Sequence, residues 1–403
     1  MTKEFVVFLS YEFPPYIFGG VGTFSKLVAE NLSKKGLKVI VIAGKAQFSK
    51  RVHIEKINEN LYVVRVYFPS IPPRWVYFSL PAHNIVEELI KTKEPQLIIS
   101  NSPLAYLAIK NLDIKRKVKV ISIYHNSPYY LQLFFSYVLP EDIKMLNAEE
   151  LYYYSQFPLL KYLMRRQLEM DDFSIFVAKH VFEEYKILYP NVAAKINNSY
   201  AIIYPGVEYK RLIELFKKSQ EKKPKNKIII TYVGRLYYTK GATLTLKSLE
   251  KLINEYHEKE VELWIFGKGP LEAWIRRQVK KKNLKQYVKL WGFVNRERLL
   301  LLLAKYVDVL LHPSLYEGAP LAVMESQVLG IPTVSFDFSW SREFVINGIN
   351  GYRATYPDIE SLTKGIIKAS ELSREKIADL AYRYDITLSI RTLEDTIYKI
   401  INS

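Results

Sequence analysis

Two glutamates with seven residues between them, Glu317 and Glu325, lie in the stretch HPSLYEGAPLAVMESQVLGIPTVS that runs from His312 to Ser335. The apolar run YVDVLLH ends at Pro313, Gly318 opens a tight loop, and Pro320 stands where a helix begins. Proline suits that place because its φ is already helical and its missing N–H has no partner to lose there. The pattern predicts a helix over LAVMESQVL that stops at Gly330, then a buried parallel strand through IPTVSF. The opening N–H groups of that helix, on Leu321 and Ala322, have no acceptor inside it and make a seat for an anionic group such as a diphosphate. Glu325, about one turn in, is placed to accept two hydrogen bonds from a ribose diol. Such charge-assisted bonds contribute about 1.5–3 kcal/mol each. Glu317, ahead of the helix, faces whatever is attached beyond the diphosphate.

Three more motifs end strands in the same manner. In YVGRLYYTKG, Arg235 and Lys240 flank a strand-to-helix loop bounded by Gly234 and Gly241, a pair of cations fit to stabilise a departing diphosphate. In FGKGP, Gly267 and Gly269 permit close backbone approach. The N-terminal YEFPPYIFGGVGTFS places Gly19, Gly20 and Gly22 in a loop between the first strand and its helix. GGVG lacks the G-x-G-x-x-G spacing, and no acidic residue closes the strand LKVIVIAG, which disfavours a dinucleotide-dependent dehydrogenase. His125 ends the strand VKVISIYH, where an imidazole can hydrogen-bond a hydroxyl.

With these residues the chain resembles the retaining glycosyltransferases of the glycogen-synthase-like class, the group 1 (family 4) enzymes with the two-domain GT-B fold. Their E-x7-E signature corresponds to Glu317 and Glu325, and their G-R-x4-K-G pattern to the loop carrying Arg235 and Lys240. The resemblance implies a nucleotide-sugar donor, with the base held by backbone around Phe293. It implies a glycine loop at Gly20 and Gly22 that closes over the phosphates, and a histidine, here His125, beside the transferred sugar. It further implies that the leaving diphosphate helps to deprotonate the acceptor on the same face, so that His125, Glu317, Arg235 and Lys240 form the catalytic set. No Asp-x-Asp motif occurs in the sequence. That agrees with a metal-independent hexosyl transfer in which cations and a helix dipole do the work of magnesium, with no cofactor. The chain departs from the family pattern at DFSWSREFVINGINGY: ahead of Glu343 it carries Trp340 and Arg342, which imply an unusual sugar pocket.

The elements that must position these residues follow from the alternation of apolar strands and amphipathic helices. An α/β architecture of two doubly wound, Rossmann-like domains facing across a cleft is expected, with the ligand at the carboxyl ends of the strands. The expected divisions are an acceptor-side domain over 1–215, a lysine-rich linker over 216–226, a nucleotide-sugar domain over 227–385, and a C-terminal helix over 386–403. In the resembled family that helix crosses back to the first domain. The length of 403 residues suits two domains, each able to bury a core. Apolar residues make up 49%, which places the chain among globular proteins. The absence of cysteine excludes disulfides and thiol nucleophiles.

The formal net charge of +17 implies an anionic partner. Nucleic acid is disfavoured, because the lysines are scattered and no nucleic-acid module is present. No apolar run is long enough to cross a bilayer and no signal-peptide pattern appears, so a cytoplasmic location is expected. The segment Tyr129–Met170 is rich in aromatics and contains Arg165 and Arg166. It fits equally a peripheral contact with an anionic membrane, serving a lipid-linked acceptor, and ordinary packing under a domain cap. The reading is therefore sugar transfer from a nucleoside diphosphate to a hydroxyl of an unidentified acceptor. A sugar-nucleotide epimerase or disaccharide phosphorylase of the same fold stays open as an alternative, as does a non-catalytic basic binding protein.

Overall fold

The computed structural model describes residues 5–16, 20–45, 52–69, 74–101, 104–110, 112, 118–196, 199–219, 227–258 and 260–402. Two mixed α/β units carry one sheet each. The first sheet contains β1 (Phe5–Ser10), β2 (Lys38–Lys45), β3 (His53–Lys56), β4 (Leu61–Tyr67), β5 (Leu97–Asn101), β6 (Lys119–Tyr124), β7 (Phe173–Phe176) and β8 (Tyr200–Ile202). Their order is β3-β4-β2-β1-β5-β6-β7-β8, and every pairing is parallel except the β3–β4 hairpin. β1 reads FVVFLS and is buried at all six positions, as a strand covered on both faces must be. The hairpin strand β3, HIEK, is mostly exposed and polar, which suits an edge.

The second sheet contains β9 (Ile228–Val233), β10 (Val261–Phe266), β11 (Val288–Gly292), β12 (Val309–Leu311), β13 (Thr333–Phe336) and β14 (Gly351–Ala354). The order β11-β10-β9-β12-β13-β14 is parallel throughout, so all six carboxyl ends emerge along one edge. The two α/β sheets expected from the strand–helix alternation are present.

The divisions differ from the expected ones in two places. The first compact unit comprises Met1–Tyr129, Gln156–Pro205 and Ser389–Ser403, and the second comprises Tyr130–Ser155 and Gly206–Leu388. The expected boundary after residue 215 is therefore too late. The helix Tyr209–Ser219 buries Leu212 and Phe216, and Phe216 lies against Gly330 and under the Arg374 guanidinium of the second unit. The expected linker begins inside this helix, and its residues 220–226 lie outside the described ones. Tyr130–Ser155, expected within the first domain, instead packs on the second unit, where Tyr137, Asp142, Glu149 and Glu150 find their partners.

At Gly267 the backbone takes φ +131°, and a Cβ there would lie 1.9 Å from the Gly234 carbonyl oxygen. Only glycine fits where two strand ends approach this closely. We expect Gly267→Ala to cost about 1–3 kcal/mol in backbone strain alone, with the clash in addition. A urea-unfolding midpoint equal to the parent's would disprove this packing.

Candidate functional site

The loop after β9 is fixed by its neighbours. Gly234 N–H donates to Phe266 O at 3.0 Å, Leu236 N–H to Lys268 O at 3.0 Å, and the buried Tyr232 hydroxyl to Arg235 O at 2.7 Å. The chain then makes a short turn, Tyr238–Lys240, that ends at left-handed Gly241, where a Cβ would fall 2.3 Å from Pro313 O. Leu315 N–H donates to Thr239 O at 2.9 Å, so the loops after β9 and β12 are laced together.

That lacing puts Lys240 Nζ 2.7 Å from Glu317 Oε1 and 3.2 Å from Tyr316 O. His312 Nε2 reaches the same carboxylate oxygen at 2.9 Å. Burial alone would raise the Glu317 carboxyl, but the Lys240 ammonium and the His312 hydrogen bond outweigh it and hold Glu317 far below the usual carboxylate range. Glu317 is thus a fixed negative charge that orients Lys240. Arg235 is exposed, lies 4.9 Å from the centroid of the Tyr237 ring, and pairs with no carboxylate among the described residues.

Pro320 is the N-cap of the helix Leu321–Val328, one position ahead of the helical residue expected. The helix bonds begin with Val323 and Met324 N–H, which donate to Pro320 O at 3.0 and 3.1 Å; Leu321 and Ala322 precede them at the open end. Glu325 is buried, and burial raises its carboxyl while Arg296 works against that rise. Arg296 Nη2 lies 2.6 Å from Glu325 Oε1. It opens the helix Arg296–Tyr306, whose N-cap Asn295 accepts from Arg298 N–H at 2.9 Å. Sequence reasoning missed Arg296; its only trace is its place just after the Phe293 loop. Phe293 itself is 78% exposed, directly after left-handed Gly292, whose carbonyl accepts from Gly267 N–H at 2.7 Å.

Eight expected residues therefore stand on loops and a helix start at one sheet edge of the second unit: Arg235, Lys240, Gly267, Phe293, Glu317, Leu321, Ala322 and Glu325. The expectation that Trp340 and Arg342 shape a sugar pocket does not hold in the form given. Trp340 is fully buried, edge-on to His312 at 5.3 Å, and its indole N–H donates to Ser314 O at 3.0 Å, so it forms the floor under the Glu317 loop. Arg342 is exposed and pairs with Asp337 at 3.1 Å.

The other three expected residues belong to the first unit. Gly20 and Gly22 are in the first turns of the helix Gly20–Lys34, not in a loop, and Gly22 is buried; Gly19 lies outside the described residues. His125 follows β6, meets Phe24 edge-on at 5.7 Å, and hydrogen-bonds through Nε2 to Asn101 Oδ1. Asn101 Nδ2 donates to Ser25 and to Ser10 (3.4 Å), and those two hydroxyls are 2.9 Å apart. With its amide nitrogen so engaged, Asn101 presents oxygen to His125. That arrangement calls for the proton on Nε2 and leaves Nδ1 as an acceptor. Burial pushes His125 down to about 4, so the ring is neutral near pH 7.

Two family models match consecutive parts of the chain. The family model "Glycosyl transferases group 1" matches residues 213–384, and "Glycosyltransferase Family 4" matches residues 18–211. An uncharacterized glycosyltransferase of Methanocaldococcus jannaschii is 24% identical over 369 residues, 90% of this chain and 87% of that one. An Escherichia coli UDP-Gal:alpha-D-GlcNAc-diphosphoundecaprenol alpha-1,3-galactosyltransferase is 25% identical over 42% of this chain and 45% of its own length. Among solved structures, sucrose-phosphate synthase of Thermosynechococcus elongatus superposes with a TM-score of 0.77 at 16% identity, covering 99% of this chain and 100% of that one. Anabaena HepE in complex with UDP gives a TM-score of 0.67 at 14% identity, covering 98% and 100%. These structural likenesses carry the fold.

The neutral His125 generates a measurable pH dependence. Its proton affinity is lower in the folded chain, so the unfolded chain protonates first, and the stability it contributes is lost as pH falls from about 6.5 toward about 4. Urea midpoints measured across that window should fall less steeply in His125→Asn than in the parent. Identical slopes would mean that the ring is not held neutral.

Proposed function

The chain belongs to the group 1 glycosyltransferases, and from that we propose that it moves a hexosyl group from a nucleoside diphosphate sugar to a hydroxyl acceptor with retention of configuration. The observation that carries this reading is the Lys240–Glu317 pair at 2.7 Å, with Arg235 and the open helix start at Leu321 on the same sheet edge. Those groups form a pre-set positive field, and a leaving diphosphate gains more negative charge as the glycosidic bond breaks. Preorganised donors of this kind are worth most where charge develops. Glu325, kept partnered by Arg296, offers its carboxylate to a ribose diol. Solved neighbours hold UDP and UDP-glucose, which supports a nucleotide-sugar donor and makes UDP sugars the first to test.

In this reading the diphosphate oxygen nearest the broken bond takes the acceptor proton, so the new bond forms on the face that the leaving group vacates. No general base is required, and none is assigned. His125, neutral with Nδ1 as an acceptor, is assigned to a sugar hydroxyl by hydrogen bonding and not by charge. Cations and a helix start stabilise the leaving group, so the reaction needs no divalent metal. Epimerisation would require further titratable groups beside the sugar. A phosphorylase shares this site, and product analysis with inorganic phosphate in place of the acceptor separates it from transfer.

For the acceptor, the first unit's helix Phe157–Met170 supports a lipid-linked molecule. Leu159 and Tyr162 are 45% and 55% exposed one turn apart, beside Lys161, Arg165 and Arg166. Glu169 offsets part of that charge by pairing with both arginines, at 2.9 and 2.7 Å. The chain's +17 supplies further attraction to an anionic surface. No helix among the described residues is long and apolar enough to cross a membrane, so the contact proposed is peripheral.

Two outcomes are expected. Arg235→Ala, Lys240→Ala and Glu325→Ala each lower kcat/KM for the preferred sugar nucleotide, the two cation variants by about 10²–10³-fold. The thermal midpoint of Arg235→Ala stays near the parent's, and that of Lys240→Ala falls because Glu317 loses its partner while the chain still folds. The product anomer by NMR matches the donor, and turnover survives excess EDTA. Parent-like turnover in all three variants, an inverted anomer, or full EDTA loss reversed by magnesium would each break the corresponding part of the reading. Second, the protein should cosediment with acidic vesicles at low salt and leave them as salt rises, each basic residue near the surface contributing about 1 kcal/mol. Equal absence from acidic and neutral pellets would point to a water-soluble acceptor.

A further inference from the structure

Between Arg235 and Lys240 run Leu236 and then Tyr237, Tyr238 and Thr239, and each of these last three is held by an acid from one short stretch of chain. That stretch consists of the helix Tyr129–Tyr137, a turn at Pro140–Met145 and the helix Ala148–Ser155. The Tyr237 hydroxyl donates to Glu149 Oε2 at 2.7 Å, while its ring lies beneath the Arg235 guanidinium. Tyr238, fully buried, donates to Asp142 Oδ2 at 3.4 Å and accepts Leu139 N–H at 3.2 Å; Lys247 pairs with the same Asp142 oxygen. Thr239, immediately before Lys240, gives both its N–H (3.0 Å) and its hydroxyl (2.9 Å) to Glu150 Oε1. On the other side of Lys240, Tyr316 stacks on Tyr130 with centroids 4.1 Å apart, and its carbonyl accepts from the Lys240 ammonium.

Glu150 is the most fully committed of these acids. It is 5% exposed, and its second oxygen accepts Asn147 Nδ2 at 2.7 Å and Asn147 N–H at 3.3 Å. Asn147 Oδ1 in turn accepts Glu150 N–H at 3.0 Å. Both carboxylate oxygens are thus occupied, one by its own helix start and one by the cation loop. A buried carboxylate with every lone-pair direction engaged holds its partners in one geometry, and a loop held this way cannot swing its lysine.

We propose that Glu150 is a positioning residue for sugar transfer: by clamping Thr239 it holds Lys240, and through the shared loop Arg235, where they meet the donor diphosphate. The inference rests on the donor-site reading above and goes beyond it, because Glu150 itself touches no reacting atom. Its signature is selective. Releasing Thr239 disturbs the diphosphate grip and leaves the nucleoside grip at Glu325 as it was.

UDP, ADP and GDP are titrated into the parent by calorimetry, and the tightest of them and its nucleoside become the probes. Glu150→Ala should weaken the diphosphate about tenfold or more and lower kcat about 10²-fold, as a displacement near 1 Å of a catalytic group does. Its nucleoside affinity should stay within about twofold of the parent's, and in a Lys240→Ala background its effect on the diphosphate should shrink. A folded Glu150→Ala with parent-like diphosphate affinity and kcat would overturn the proposal, as would equal losses for diphosphate and nucleoside. Where Glu150→Ala fails to fold, Thr239→Val removes one clamp bond at almost no change in volume and must show the same split, or the proposal falls. The two readings fail separately. If Arg235→Ala and Lys240→Ala leave diphosphate binding intact, the donor-site reading fails. If they weaken it while the clamp variants do not, only the clamp is wrong.

Discussion

A single ammonium–carboxylate contact, Lys240 Nζ at 2.7 Å from Glu317 Oε1, ties together loops that leave two different strands of the second sheet. The pair is largely withdrawn from water, so each charge needs the other. Removing one partner of such a pair costs about 3–5 kcal/mol when burial is complete, and less here because both side chains keep some exposure. The surroundings are arranged around that need. His312 donates to the same oxygen, Trp340 walls the histidine and holds the Ser314 carbonyl, and Gly241 lets the chain pass against Pro313. Much of the local architecture serves to keep one lysine aimed.

The fold and the site share a common cause in the parallel sheet. Six strands running the same way put every carboxyl end on one edge, and the backbone there must turn sharply into helices. Glycine at Gly234, Gly241, Gly267 and Gly292 meets the steric demand of those turns. Unpaired N–H groups at the helix starts and the cations beside them then accumulate along that edge. An edge suited to anions is a by-product of the topology, and the particular residues sharpen it.

What the sequence made legible was whatever has a local signature. Alternating strands and helices, the Gly-x-Pro turn into Leu321–Val328, and the paired cations of the Arg235–Lys240 loop are all encoded within about ten residues by propensity and spacing. The misses share the opposite character. Arg296 is one arginine among many, and only the fold shows that its partner is Glu325. Gly20 and Gly22 read as loop because glycine is a poor helix former, yet tertiary packing carries them into a helix. The aromatic character of Tyr130–Ser155 was visible, but its destination was not, since Tyr237 and Tyr316 lie far along the chain. Choice of tertiary partner leaves no periodicity behind.

The chain passes from one compact unit to the other four times, after Tyr129, Ser155, Pro205 and Leu388. That connectivity has a genetic consequence. An enzyme whose halves met at one linker would let recombination exchange either half as a cassette. Here, a crossover placed near residue 206 would bring in a foreign Gly206–Leu388 segment while keeping the resident Tyr130–Ser155, so its acids would face unfamiliar loop residues. Exchange of the second unit between relatives would then require two separate segments to move together, with a cut at each of the four junctions, or a matched change at Asp142, Glu149 and Glu150. The wandering path of the backbone makes this stretch and the Gly206–Leu388 segment a single heritable unit.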